Sequence, residues 1–165
     1  MLRANASGRS WHDDPDRWRA MLTREGCPWC QGPGPPAEDV IAQTETCWVT
    51  APPVAPLAGY VCVSTKEHAI EPYDLDAETQ AKFWLDAMAV ARGLSDAIRP
   101  AKMNYEIHGN TIPHLHMHLY PRTPNDPYVG YPIHNREVVT RTAEELAGMA
   151  SHIRAQLTTA GRSPI

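Results

Sequence analysis

The segment HGNTIPHLHMHLYPR, His108 to Arg122, holds four of the chain's eight histidines. Within it, His114, His116 and His118 alternate with Leu115, Met117 and Leu119. In a strand, residues at i, i+2 and i+4 share a face, so three imidazoles point one way and three aliphatic chains the other. Three chemistries fit this pattern. A half-exposed polar face is the simplest, but such a face has no need of imidazoles. A metal site built on alternate histidines is the second. In the third, a neutral imidazole attacks an electrophile while its neighbours orient it and handle protons. A second reactive group is CPWC, where Cys27 and Cys30 have the spacing of half a zinc knuckle. A thioredoxin-like redox pair has the same spacing but needs a helix at the first cysteine. The breaker-rich GPGPP just downstream opposes one. The remaining metal ligands should then be histidines brought close by the fold.

The elements that must position these groups are legible from pattern. Asp14-Pro15 reads as a helix start, with Trp18, Met21 and Leu22 on one face and Gly26 as its stop. Val40 to Gln43 and Cys47 to Ala51 read as strands, and Pro52, Pro53 and Pro56 end their pairing. GYVCVST, from Gly59, is a third strand. The long helix is capped by Asp76 and carries the stripe Phe83, Trp84, Ala87, Met88, Ala91, Leu94 and Ile98, with Pro100 past its end. Lys102 to His108 alternates as a strand, and the link GNTI before the histidine strand has hairpin spacing, which predicts antiparallel pairing. Thr142 and Glu145 form a capping box for a last helix with the stripe Leu146, Met149, Ile153 and Leu157. This order predicts an α+β fold, an antiparallel sheet with the long helix and the C-terminal helix on one face. An N-terminal extension with a short helix, residues 1–26, precedes a single domain over 27–165. The loop from Arg122 to His134 is longer than a turn requires. Asp126, Tyr128 and Tyr131 could close over a substrate there, although a plain surface loop is the simpler expectation. Cys47 and Cys62 read as small core residues and Trp18, Trp48 and Trp84 as core, with base stacking a second role for Trp48. His12, His108, His134 and His152 read as surface residues.

Composition narrows the partners. With 165 residues and a formal charge of −4, the chain can bury one core and shows no basic footprint for nucleic acid. Its apolar runs are too short to span a membrane, and MLRANASGRS lacks the apolar middle of a secretory signal. Four cysteines, only two of them closely spaced, make no disulfide framework. A reduced, cytoplasmic protein is the expectation.

The motif His114-Leu115-His116-Met117-His118-Leu119-Tyr120 resembles that of the histidine triad superfamily. Asn104, Gly109, Asn110, Pro121 and Arg122 fall in the family's order around it, and Gly59 to His68 (GYVCVSTKEH) is similar to the family's strand ending in Lys-x-His. The resemblance covers roughly Cys27 to Arg122. It implies an antiparallel sheet with helices, a homodimer, and hydrolysis or transfer of nucleotidyl groups. It makes His116 the nucleophile on an α-phosphorus, places His118 at the phosphate site, and assigns Asn104, Asn110 and Thr111 to substrate and phosphate binding. His118, where uridylyltransferases carry Gln, leans toward hydrolysis. Resemblance to the zinc-bearing branch implies structural Zn2+ held by Cys27, Cys30, His68 and His114. The expected activity is a zinc-stabilised nucleotidyl hydrolase acting on a phosphoramidate, a mixed anhydride or a dinucleoside polyphosphate. A phosphorylase or transferase, or a nucleotide-binding protein without turnover, are the alternatives. Two departures stand out. Ala51-Pro52-Pro53 offers no carboxylate where many members grip the ribose, and Tyr60 follows Gly59 where many have histidine.

Overall fold

The computed structural model describes residues 10–128, 130–133 and 138–162. In chain order they form α1 (Pro15–Ala20), β1 (Val40–Gln43), β2 (Cys47–Thr50), β3 (Val54–Ala55), β4 (Val61–Thr65), α2 (Ala77–Ile98), β5 (Lys102–Glu106), β6 (His116–Arg122), β7 (Val139–Thr140) and α3 (Ala143–Thr159). Five strands make one sheet in the order β1-β2-β4-β6-β5, and every neighbouring pair is antiparallel. β3 and β7 pair separately as a short ribbon. The fold is the expected α+β arrangement. Among the described residues, no helix is long and apolar enough to cross a membrane.

Capping chemistry sets both long helices. Asp76 accepts from the amides of Glu78 and Thr79 at the start of α2, and Arg99 ends that helix in the left-handed region (φ 52°) just before Pro100. At α3, Thr142 Oγ1 accepts from Glu145 N while Thr142 N donates to the Glu145 carboxylate, the reciprocal capping box. α2 lies on β6 and β2, α3 lies on β1, and the two helices pack together. Gly93 permits that crossing, because a Cβ there would lie 2.6 Å from the Ile153 Cα. The buried face of α2 is Phe83, Ala87, Val90 and Leu94, with Asp86 and Gly93 turned toward other packed elements. The expected stripe is therefore rotated by about one residue. Trp84 and Met88 are each 40% exposed, since contact with both the sheet and α3 selects a different arc from the most apolar one.

Leu115, Met117 and Leu119 are buried in the core with Phe83, Val90 and Leu94. Their strand differs from expectation at its start. β6 begins at His116, and residues 107–115 form the connection in place of a four-residue hairpin link. Gly109 (φ 67°) turns the chain, and Leu115 N then bonds to Ala69 O at 2.7 Å, outside the ladder. Antiparallel pairing still holds, with Asn104 opposite Tyr120 and Glu106 opposite His118. α1 ends at Ala20, short of Gly26, and the chain folds back so closely that a Cβ on Gly26 would collide with Ala20 O.

Asp86, buried on α2, accepts from the hydroxyls of Thr44 and Thr46 at 2.5 and 2.6 Å and pairs with Arg162 at 3.2 Å. A buried carboxylate is tolerable only when bonded in this way, and here it ties the β1–β2 turn, α2 and the chain beyond α3 together.

Candidate functional site

The strand registers collect the site. Ser64 lies opposite His116, Cys62 opposite His118 and Asn104 opposite Tyr120, so these side chains share the sheet face away from the helices. That face is not open. His114 is wholly buried and His116 is 9% exposed. The Trp29 ring covers them, edge-on to both His114 and His116 at 5.2 and 5.3 Å, while Trp11 N donates to Asn110 O and Trp18 Nε1 to Gly109 O, each at 3.0 Å, in the connection before them. Trp18 is thus half-buried and hydrogen-bonded, and Trp48 is half-buried beneath the loop at Gly34, whose Cβ would lie 2.7 Å from the indole.

Cys27 and Cys30 sit in a turn closed by bonds from Cys30 N and Gln31 N to Cys27 O. Cys27 Sγ is 3.4 Å from His114 Nδ1, Cys30 Sγ is 3.4 Å from His68 Nδ1, and Cys30 Sγ is 3.6 Å from His114 Nδ1. All four donor atoms lie within 4.8 Å of one another. Tetrahedral bonds of about 2.3 Å to thiolate and 2.0–2.1 Å to imidazole place sulfur and nitrogen about 3.5 Å apart, so the donor set fits a metal ion. The outer contacts agree. His68 Nε2 lies 3.0 Å from Leu22 O and His114 Nε2 lies 2.8 Å from Thr65 O, so each ring donates there and turns its Nδ1 lone pair to the cluster. Burial holds the His114 imidazole down at about 4, the neutral form a ligand needs. Burial, then the neighbouring Cys27 thiol, pushes the Cys30 thiol up to about 11. Both cysteines are free thiols, and no helix begins at Cys27 to favour redox chemistry.

His116 faces a different task. Its Nδ1–H donates to the carbonyl of His114 at 2.5 Å, which leaves the Nε2 lone pair free. Burial lowers its basicity. The His118 ring stands perpendicular to it with centroids 4.8 Å apart, and Tyr60 Oη is 2.8 Å from His118 Nδ1. Burial, then His116 and His108, holds His118 down at about 3, so it is neutral. His108 is exposed as expected, yet it has partners: Glu106 at 2.9 Å and the His118 ring at 5.7 Å. His12 stacks on Trp11. His134 lies outside the described residues.

The expected phosphate ligands sit differently from one another. Asn110 is exposed and Thr111 half-buried, both in the connection leading to His114. Asn104 Oδ1 accepts from Arg122 Nη1 at 3.1 Å. Arg122 also grips Asp126 through two bonds of 2.8 and 2.9 Å and donates to the carbonyls of Tyr128 and Tyr131. Asp126 and Tyr128 are therefore buried supports of their loop, while Tyr131 is exposed; Val129 lies outside the described residues. Two grooves, of 460 and 370 Å3, run along β1, and no triad histidine lines either. Trp29 and Glu106 carried no recognisable signal in the sequence, and Arg122 stood out only by its place in the family's order, with no sign of its clamp on Asp126. Tyr60 did, as a departure from the family pattern.

Sheet order, histidine alternation and the Cys/His cluster define a histidine triad protein. The HIT domain family matches residues 36–125, and the chain belongs to that family. Among solved structures, it is similar to a histidine triad protein from Bradyrhizobium japonicum, with 24% identity over 72% of this chain and 91% of that one and a TM-score of 0.65. A Zn-bound histidine triad family protein from Mycobacterium smegmatis superposes with a TM-score of 0.52 at 18% identity, covering 74% and 86% of the two chains. Diadenosine triphosphate hydrolase from Plasmodium falciparum also gives a TM-score of 0.52, at 16% identity over 87% and 98%. These likenesses concern the fold. Comparison with curated proteins gave no match.

Proposed function

We propose that the protein is a zinc-stabilised hydrolase of nucleotidyl bonds, with His116 as nucleophile. The observation that carries this reading is the 2.5 Å bond from His116 Nδ1–H to the His114 carbonyl, which aims an uncommitted lone pair from a neutral ring. His116 Nε2 bonds to the α-phosphorus as the bond to the leaving group breaks; water then displaces the histidine and releases the nucleotide. Asn110 and Thr111 supply neutral donors to the phosphoryl oxygens, where charge develops. Zinc, held by Cys27, Cys30, His68 and His114, ties the N-terminal segment to the triad strand; four protein ligands leave no open position, so its role is structural. Homodimerisation belongs to the same reading and is supported by exposed Trp84, Leu85 and Met88 on α2 and Tyr105 on edge strand β5. Sedimentation would show two chains per particle.

The test is turnover across a panel of adenosine and guanosine phosphoramidates, mixed anhydrides and dinucleoside polyphosphates. His116→Ala should lose nearly all activity, keep its zinc and fold; a wild-type rate in that variant would refute the assignment. Labelled substrate should leave its nucleotidyl group on His116 in quenched reactions. Added phosphate as acceptor distinguishes phosphorolysis from hydrolysis. A second reading, nucleotide binding without turnover, draws on the missing carboxylate at Ala51-Pro52-Pro53 and on the cover that Trp29 places beside His116. Saturable binding with no cleavage anywhere on the panel would establish it.

A further inference from the structure

Tyr60 is the one residue at the histidine face that departs from the family pattern and yet touches the triad directly. We infer that Tyr60 is a positioning residue, whose hydroxyl donates to His118 Nδ1 and thereby fixes the proton of that imidazole on Nε2. This rests on the reading of His116 as the nucleophile.

The donor direction follows from counting protons. His118 is neutral and has one N–H to place. Were that proton on Nδ1, the Tyr60 hydroxyl 2.8 Å away would have to accept, and its own hydrogen would need another acceptor. The other polar side chain beside that hydroxyl is the Cys62 thiol, and sulfur accepts weakly. With Tyr60 as donor, the hydroxyl and Nδ1 satisfy one another and His118 presents an N–H at its other ring nitrogen. The groups around His118 permit no stronger competitor for Nδ1. Cys62 faces it from β4, and His116 and Tyr120 come from its own strand. Glu106 on β5 is taken by His108, whose ring lies tilted at 5.7 Å.

Tyr60 is itself held from three sides. Its ring stacks on Tyr120 with centroids 5.1 Å apart at 27°. Its carbonyl accepts from Arg141 Nη1 at 2.5 Å, and Arg141 is a buried guanidinium that also bonds the carbonyls of Ala58 and Pro52. Gly59 before it has no room for a side chain, since a Cβ would stand 2.4 Å from Pro121 Cγ. Such restraint suits a residue that must hold one oxygen in place. The chemical consequence is complementarity. His116 offers a lone pair and His118, 4.8 Å away, offers a neutral N–H. A nucleophile beside a hydrogen-bond donor matches a phosphoryl group, whose oxygens gain charge as the new bond forms. Two lone pairs side by side would oppose it.

The experiment is histidine-selective 15N NMR of the zinc-loaded full chain, read beside steady-state kinetics, for wild type, Tyr60→Phe and Tyr60→His. Wild type should show His118 protonated on Nε2 with Nδ1 as a hydrogen-bond acceptor. Tyr60→Phe should keep fold and zinc, let His118 exchange between tautomers, and lower kcat on the order of tenfold, the effect of one hydrogen bond, with KM unchanged. Tyr60→His, which restores an N–H donor, should recover the tautomer and much of the rate. A wild-type His118 protonated on Nδ1, or a Tyr60→Phe variant with wild-type tautomer and kcat, would overturn the inference. If wild type cleaves nothing on the panel, the hydrolase reading falls while the tautomer still decides the role of Tyr60.

Discussion

The carbonyl of His114 accepts the Nδ1–H of His116 at 2.5 Å, while the imidazole of the same His114 sits 3.4 Å from Cys27 Sγ. One residue thus belongs to two systems, its ring to the Cys/His cluster and its backbone to the neighbouring histidine. A change in the cluster should therefore reach His116 through the backbone of His114.

Metal removal should therefore be structural first and catalytic second. The purified chain should hold about one zinc, and Cys27→Ser should release it, because three ligands bind far more weakly than a closed set of four. Structural zinc contributes on the order of 10 kcal/mol to small peptides, so faster hydrogen exchange is expected through Ser10 to Cys30. The protein should also lose the single Nδ1–H signal of His116. A metal-free wild-type protein of equal stability would contradict the site.

Leu115 is 1% exposed and faces the helices. Replacing it with Asp puts an unpaired charge in the core and should prevent folding altogether. Leu115→Ala, which only removes volume, should cost about 2–5 kcal/mol by denaturant titration. A soluble, folded Leu115→Asp protein would mean that the strand's faces had been assigned in reverse.

At the α2–α3 crossing, Gly93→Ala introduces a Cβ 2.6 Å from the Ile153 Cα and 2.8 Å from the His152 carbonyl oxygen. Backbone cannot yield as a side chain can. The expected loss is about 1–3 kcal/mol, measured as a lower denaturant midpoint, with zinc content unchanged. Gly148, with open space around it, provides the control: Gly148→Ala should be neutral or slightly stabilising.

The loop after β6 should loosen in acid. Arg122 bonding, with help from the amides of Tyr128 and Thr123, holds the Asp126 carboxyl below its ordinary range. A depressed carboxyl contributes stability that is fully present above the unfolded value, about pH 4, and is lost as the pH falls through the folded one. Pepsin cleavage between residues 123 and 133 should accelerate over that window. Asp126→Asn should cleave fast throughout, with little dependence on pH.

The sequence by itself determined the main strands and helices and the face of the strand that carries the histidines. Caps at Asp76 and Thr142 are local hydrogen-bonding events, and the alternation of Leu115, Met117 and Leu119 with histidine is a period-two signal that the core enforces. The pairing of Cys27 and Cys30 with His68 and His114 came through resemblance, since nothing local relates residues so far apart. Tertiary structure alone decided the rest. Trp84 and Met88 lie at the solvent side because α3 claims the arc of α2 around Gly93, a contact that hydropathy cannot register. The hairpin expected at GNTI became a longer connection because His114 is drawn toward the thiols and Leu115 bonds to Ala69 instead of the ladder. The histidine face, exposed by alternation, is covered at His114 and His116 by Trp29 of the CPWC turn, while Trp11 and Trp18 of the N-terminal extension bond the connection at Asn110 and Gly109. Periodicity reports which side of a strand a residue takes, and only long-range packing determines what then covers that side.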